Sequence, residues 1–449
     1  MLSFFKTLIS AIMAFLMALL PLGGAEPEKK CEAEFNGTFV QSWYSSSWSD
    51  ARWQEEISYM KQHGVEYIVL QDIANMSTDG SWTVYYDSQL ATFENADFGA
   101  DVIEAALRNC KDSGIKVFVG LAMFDDYWST GTLTYTYNQI CSVAADMVEE
   151  IYGKYYEEYS DCFYGWYFTP ELSNILICEI NFIGACMGLN TILDRATEVD
   201  EGLPMLLSPF TSKYLATGPV KTLADWVTFF ELAHFRDGDI FAPQDAVGAG
   251  WISENELEAC WKMYRSAVDT CKADVRLWAN CENFTLAVAD AFGEGFIARP
   301  SSENKENVTA NLDRFVRQME VASRYAENII TFSYTHYFSP AKVDSCFIDT
   351  YTDYVNNGHV LETQAPSAPK EFTKAADGSC VTLTWEASED NFGISHYRIL
   401  RDGEFLTRIE CLYGAPELTY TDENADINSI YTIVAYDAAG NASAAAEAK

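Results

Sequence analysis

Eight short apolar segments recur between residues 37 and 338, and stretches with helical spacing separate them. That alternation constrains the fold more than any other feature of the chain. The first segment is Gly37–Trp43, GTFVQSW. Behind it, Asp50 can cap a helix whose apolar positions are Trp53, Ile57 and Met60, and Gly64 closes that helix. The second segment, Val65–Asp72, ends on Gln71 and Asp72. The unit then repeats. Val102, Ile103, Ala106, Leu107 and Cys110 form a stripe closed by Gly114, ahead of the segment Ile115–Met123. A helix over about Tyr137–Tyr156 leads to Phe163–Pro170. The remaining segments are Leu203–Phe210, Asp239–Asp245, Asp274–Ala279 and Asn328–Phe338. Stripes lie between them, among them Leu223, Trp226 and Phe230, and Leu312, Phe315 and Met319. Ser253 and Glu256 form a capping box ahead of Leu257, Cys260 and Tyr264. A last helix over Ser345–Asn356 is stopped by Gly358.

Strands covered on both faces read as unbroken apolar runs. Eight of them alternating with helices predict a (β/α)8 TIM barrel over residues 35–360. A doubly wound open sheet shares the alternation. The barrel is preferred because the count reaches eight and polar residues gather at the C-terminal ends of the segments, the catalytic face of a barrel.

The pattern changes after Gly358. Residues 361–370 hold Pro366 and Pro369 and read as a linker. From residue 371 to 449 the spacing becomes period two, in VTLTWEASED, HYRILRDGEFL and YTIVAYDAAGNAS, with turns at Asp402-Gly403 and Gly440-Asn441. A small all-β sandwich is expected, with Trp385, Tyr397 and Tyr431 in its core. The tail resembles bacterial fibronectin type III modules over roughly Pro366 to Ala448. That resemblance implies a spacer or adhesion unit, able to contact a glycan or cell surface, and no chemistry.

Residues 1–25 read as a signal peptide: Lys6, an apolar run Leu8–Leu20, and the small residues Gly23, Gly24 and Ala25. The run is too short to span a membrane comfortably. The chain is therefore expected to be secreted or held at a bacterial cell surface, with no membrane contact after cleavage. Its formal net charge is -37, with only 29 Lys plus Arg, a field that repels nucleic acid and anionic membranes. Twelve Cys allow disulfides in an exported chain. Several lie in apolar patterns, such as Cys110, Cys162 and Cys260, where buried free thiols are expected.

The reactive groups narrow by elimination. The chain has five His, and only His336 lies near the end of an apolar segment; no metal or cofactor is expected. There is no G-x-S-x-G elbow and no P-loop, and the Gly-rich fragments at Gly248 and Gly293 are half-matches to a dinucleotide loop. Paired carboxylates remain. Glu171 ends the fourth segment in FYGWYFTPEL, and Glu282 follows the seventh in RLWANCENF. Strands four and seven stand on opposite parts of a barrel wall, so their ends can converge over its mouth. A retaining glycosidase needs two carboxyl groups about 5–5.5 Å apart. Trp166, Phe168 and Pro170 can desolvate an acid, while Asn280 and Asn283 suit an ionised nucleophile.

This arrangement resembles the clan of barrel glycoside hydrolases with the acid/base on strand four and the nucleophile on strand seven. The resemblance implies Glu171 as acid/base and Glu282 as nucleophile. Pro170 stands where that clan commonly has Asn, which leaves Asn174 or Asn283 to bond a sugar 2-hydroxyl. More closely, residues 35 to about 358 resemble the bacterial family catalogued as domain of unknown function 4434, considered glycosidase-like. The segments that carry this are GTFVQSWYSSSWSDARWQEEISYMKQHGVEYIVLQ, GWYFTPEL, IFAPQDAVG and LWANCENF.

The expected function is a secreted glycoside hydrolase acting on a poly- or oligosaccharide by a retaining two-glutamate mechanism. The alternative is a non-catalytic carbohydrate-binding or adhesion protein on the same scaffold, and a metal-dependent hydrolase is a third reading. Substrate-binding candidates are Trp43, Gln244, Asp245, Trp278, Asn283, Tyr334 and His336. Each has a structural counterpart: Glu171 at a helix N-terminus, Glu282 in a loop ion pair, Gln244 and Asp245 as turn caps, the Trp side chains as core anchors. Gln71 and Asp72 lean toward a structural role.

Overall fold

The computed structural model describes residues 29–125, 133–173, 182–211, 219–286, 307–423, 425 and 428–449. The expected leader, Asn174 and the Gly-rich fragment at Gly293 lie outside those residues. The strands are β1 Gly37–Gln41, β2 Tyr67–Gln71, β3 Ala74–Met76, β4 Trp82–Val84, β5 Asp97–Phe98, β6 Lys116–Gly120, β7 Ala122–Phe124 and β8 Phe163–Phe168. They continue with β9 Met205–Leu207, β10 Ile240–Phe241, β11 Arg276–Glu282, β12 Phe284–Leu286, β13 Asn307–Thr309 and β14 Asn328–Phe332. The longer helices are α1 Asp50–Gln62, α2 Val102–Cys110, α3 Leu133–Ile151, α4 Phe182–Val199, α5 Pro219–Leu232, α6 Leu257–Val268, α7 Leu312–Ala322 and α8 Cys346–Asn356.

Eight parallel strands close into a barrel in the order β1-β14-β11-β10-β9-β8-β6-β2. The eightfold alternation is therefore the fold. Its local signals also hold, with one shift. The Ser49 side chain, not that of Asp50, caps α1 by accepting a hydrogen bond from the Arg52 amide at 3.2 Å. Gly64 follows with φ 79°. Ser253 and Glu256 do form the capping box, at a short 3₁₀ turn that feeds α6.

Strand ends differ from the sequence expectation for identifiable reasons. β8 stops at Phe168 because Pro170 has no N–H to give a ladder. β10 is two residues long, interrupted by Pro243, and pairing resumes only at a bridge between Gln244 and Asn280. β14 ends at Phe332, and Tyr334–Tyr337 is a helical turn rather than more strand. β11 is longer than expected and carries Glu282 as its last residue.

The sequence reading missed a second sheet. Strands two and three each pass a short break and continue, Asp72-Ile73 into β3 and Leu121 into β7. With β4 and β5 they form a four-stranded sheet in the order β5-β4-β3-β7. Its strands are two or three residues long, too short for a period-two signal.

Two compact units divide the chain. The first holds the barrel strands, residues 1–247, 251–282 and 318–332. The second holds 248–250, 283–317 and 333–449. In the second, β15 Lys370–Asp377, β16 Cys380–Glu386, β17 Ile394–Arg401, β18 Glu404–Glu410, β19 Thr419–Asp422, β20 Tyr431–Asp437 and β21 Ala446–Glu447 form a fibronectin type III-like sandwich. Its sheets run β15-β16-β19 and β18-β17-β20-β21. Trp385, Tyr397 and Tyr431 are buried in its core, as their period-two spacing requires. Residues 361–369 contain no helix or strand.

Candidate active site

Side-chain parity along each strand decides what the barrel encloses, because successive residues point to opposite faces. The lumen centre is apolar: Phe39, Val69, Phe118, Tyr167, Leu206, Ile240, Trp278 and Ile330 pack together there. Tyr67, Tyr164 and Arg276 close the N-terminal end, with Arg276 donating to the Gly238 carbonyl at 2.6 and 3.0 Å and to the Tyr164 hydroxyl at 3.3 Å. Two residues further along β1, β2, β9 and β11 the lumen turns polar, with Gln41, Gln71, Ser208 and Asn280, while Ala242 and Phe332 keep β10 and β14 apolar there. Gln41 and Gln71 stand side by side in register, and Asn280 donates to the Ser208 hydroxyl at 3.0 Å. Among the described residues, the other amide atom of Asn280, Oδ1, is buried without a protein partner. An acceptor left open at that depth can take a hydrogen-bond donor.

β8 reaches this layer through a register shift. Val117 pairs with Phe163 and Phe118 with Gly165, so Tyr164 bulges. Gly165 is needed there, since a Cβ would come within 2.3 Å of the Pro204 carbonyl. The bulge turns Tyr167 inward and Trp166 outward against Phe163.

Glu171 lies just past β8, partly buried. Burial pushes its carboxyl up to about 7; a hydrogen bond from Gln244 works against that, and the Asp72 carboxylate adds to it. Gln244 is the pivot of this side of the rim. Its backbone amide donates to the Pro209 carbonyl at 2.8 Å and its side chain to the Ser208 carbonyl at 3.2 Å. It also bridges to Asn280, two residues before Glu282, a rise of about 7 Å along β11. Glu282 has the lumen parity of Trp278 and Asn280 and is 2% exposed. Asp72, at the end of β2, is likewise pushed up to about 7, by burial and then by the Asp125 carboxylate.

The remaining candidates separate. Trp43 sits on a helical turn, Ser42–Ser45, directly after β1 and is 58% exposed, with Tyr44 beside it at 5.9 Å between ring centroids. It is an exposed aromatic side chain at the strand's C-terminal end. Trp278 is not. It is lumen core, 5.0 Å from the Tyr67 ring and four residues, about 13 Å, below Glu282. Its parity is right for the site and its depth is wrong.

Asp245 fails on parity. Gln244 faces the lumen, so Asp245 faces outward, where the Gln318 amide of α7 donates to Oδ2 at 2.6 Å. Its Oδ1 accepts from the Val247 amide at 3.2 Å and the Glu282 amide at 3.4 Å. Both oxygens are engaged by the framework, and Asp245 anchors the end of β11 instead of meeting substrate. Asn283 is fully buried and donates to the Ser333 carbonyl at 3.3 Å. Tyr334 is also fully buried. His336 is half-buried and accepts from the Lys342 ammonium at 3.0 Å; burial, then that charge, lowers its pKa to about 4. These three residues belong to the second unit.

Sequence reasoning underweighted Asp72 and Ser208. Both end apolar segments, and that signal was present in VEYIVLQD and LPMLLSPF.

Fold and site together define a (β/α)8-barrel protein with a carboxylate-bearing rim at the C-terminal ends of its strands. The chain belongs to the family described as Domain of unknown function (DUF4434), whose model matches residues 35–344. Chitinase A1 of Niallia circulans is 36% identical over 88 residues, which is 19% of this chain and 12% of that protein. Chitinase Chi52 of Paenibacillus xylanexedens is 34% identical over 85 residues, 19% of this chain and 16% of that protein. The chain thus spans less than a fifth of either chitinase. Among solved structures, a Bacteroides thetaiotaomicron protein provisionally assigned as an alpha-L-fucosidase superposes with a TM-score of 0.55 at 20% identity. The match covers 75% of this chain and 99% of that one, and at that identity the likeness is one of fold.

Proposed function

We propose that this protein is an exported glycoside hydrolase that cleaves a poly- or oligosaccharide with retention of anomeric configuration. The observation that carries the reading is the placement of Glu171 just past β8, on the same barrel rim as Glu282 at the end of β11, where burial pushes the Glu171 carboxyl up to about 7. Glu171 protonates the leaving glycosidic oxygen while Glu282 attacks the anomeric carbon. The Glu171 carboxylate then takes a proton from water, and that water releases the sugar from Glu282. The exposed side chain of Trp43 suits stacking against a sugar ring, and Asn280 Oδ1 suits a hydroxyl donor. Export rests on the sequence pattern of residues 1–25, and glycan or cell-surface contact by the sandwich rests on its module type.

The test is a screen of chromogenic glycosides and glycans with the wild type, Glu171→Gln and Glu282→Ala. Loss of turnover in both variants with retained folding supports the reading. Full turnover in either variant rejects that residue's role.

A further inference from the structure

We infer that the sandwich carries a second binding site, for a neutral glycan, in the cavity between the edges of β18 and β19. It gives a place to the glycan contact proposed for the sandwich and rests on that reading, not on Glu171 or Glu282. The topology makes the cavity. β18 ends one sheet and β19 ends the other, so among the described residues each leaves an edge without a ladder partner. The chain crosses from one edge to the other through residues 411–418, and Tyr413 to Glu417 line the gap. Its volume is about 470 Å³, within the range of small-ligand pockets. Its apolar wall belongs to the core: Ile409 and Tyr420 pack against the buried cluster of the sandwich.

Two features pre-organise the cavity. Tyr413 is 41% exposed, yet its hydroxyl is fixed: it accepts from the Thr309 amide at 2.7 Å and lies 2.5 Å from the Thr309 hydroxyl. An exposed ring held at its tip loses little freedom when a sugar stacks on it. Arg408 is the second feature. Its side chain is 6% exposed, with Nε 2.5 Å from Glu410 Oε1 and a further hydrogen bond donated to Oε2 at 3.4 Å. A locked guanidinium–carboxylate pair sets N–H donors beside carboxylate acceptors, the combination that neighbouring sugar hydroxyls require.

The lining selects the ligand class. It holds one cation, Arg408, and two carboxylates, Glu410 and Glu417, in a chain of net charge -37, which disfavours an anionic glycan. Charged side chains on an edge strand oppose the addition of a peptide strand, and Arg408 and Glu410 both stand on β18. Exposed aromatic surface, a fixed ion pair and no excess of positive charge suit a neutral sugar chain.

¹⁹F NMR on the full chain, labelled with 3-fluorotyrosine, tests this locally. The Tyr413 and Tyr420 signals are those that vanish in Tyr413→Phe and Tyr420→Phe. The probes are cellohexaose, xylohexaose, mannohexaose and chitohexaose, with a Thr/Val hexapeptide beside them. At least one hexaose should move both signals with a single midpoint. Read at Tyr420, that midpoint should rise about tenfold in Tyr413→Ala and stay within about threefold in Tyr413→Phe, which keeps the ring. Ala415→Lys, at an exposed position that lines the cavity, should abolish both shifts and leave thermal unfolding unchanged. Signals unmoved by every hexaose, shifts that persist in Ala415→Lys, or movement with the peptide alone would overturn the inference. Turnover of a glycoside with both tyrosine signals still would overturn it while leaving the hydrolase reading intact. Both signals moving in a chain without turnover would support the site and reject the hydrolase.

Discussion

Gln244 donates a hydrogen bond to Glu171 while its backbone bridges to Asn280, so one residue of strand six ties the end of strand four to strand seven. The two glutamates are thereby linked through one residue, by a side-chain hydrogen bond to Glu171 and a backbone bridge to the strand that carries Glu282. Gln244→Ala removes both the donor to Glu171 and the side-chain bond to the Ser208 carbonyl. The Glu171 midpoint should rise further, because the hydrogen bond that favours its ionised form is gone. The alkaline limb of the rate profile should rise with it.

Stability should carry the same signature. A carboxyl whose folded-state pKa lies above its unfolded value binds its proton more tightly in the fold. Below about pH 4.5 both states are protonated and Glu171 has no net effect. As pH rises toward 7 the unfolded chain ionises first, and stability is lost; above 7 the full penalty remains. Because Glu171 is only partly buried, the penalty is on the order of 1–3 kcal/mol. Glu171→Gln should melt together with wild type at pH 4 and several degrees higher at pH 8. Thermal unfolding followed by circular dichroism at the two pH values measures this, and equal melting temperatures at pH 8 would contradict it.

Asp245 and Trp278 should behave as framework. Asp245→Ala removes the acceptor that the buried Gln318 amide and the Glu282 N–H share, although Gln318 keeps the Glu282 carbonyl at 3.1 Å, and should cost about 1–3 kcal/mol. Trp278→Ala opens a cavity in the lumen core and should cost about 3–5 kcal/mol. Urea unfolding gives both values. A Trp278→Ala protein of wild-type stability would place that side chain outside the core.

Trp43 should show the reverse pattern. Its indole is more than half exposed, so Trp43→Ala should change stability by no more than about 0.5 kcal/mol. If its face stacks on sugar, binding of an oligosaccharide should weaken by about tenfold, near 1.4 kcal/mol. Isothermal titration on the inactive Glu282→Ala variant reads this without turnover.

The fold was legible because the barrel writes its repeat into the sequence: an apolar run eight times over, with helical stripes between most of the runs and capping residues at several. The sandwich was legible from period-two spacing around Trp385, Tyr397 and Tyr431. Residue type and strand position alone did not settle the site. Asp245 and Gln244 are neighbours with similar chemistry, and only the parity of β10, visible from Ile240 and Ala242 in the lumen, separates them. Trp278 shares the parity of Glu282, and only its distance along β11 removes it from the rim. Tyr334 was expected on a strand, but the chain coils into a helical turn just after Phe332. The second sheet escaped notice because its strands are too short to show a period. Its contribution, Asp125 near Asp72, is a contact between residues 53 positions apart.

Trapping the covalent intermediate tests the central claim most directly. Once the screen gives a substrate, its 2-fluoro glycoside with a good leaving group should inactivate the wild type with one sugar bound per chain. Peptide mass spectrometry should place that sugar on Glu282, within RLWANCENF, and Glu282→Gln should remain unlabelled. A sugar attached to another carboxylate, or full turnover by Glu282→Ala, would contradict the account.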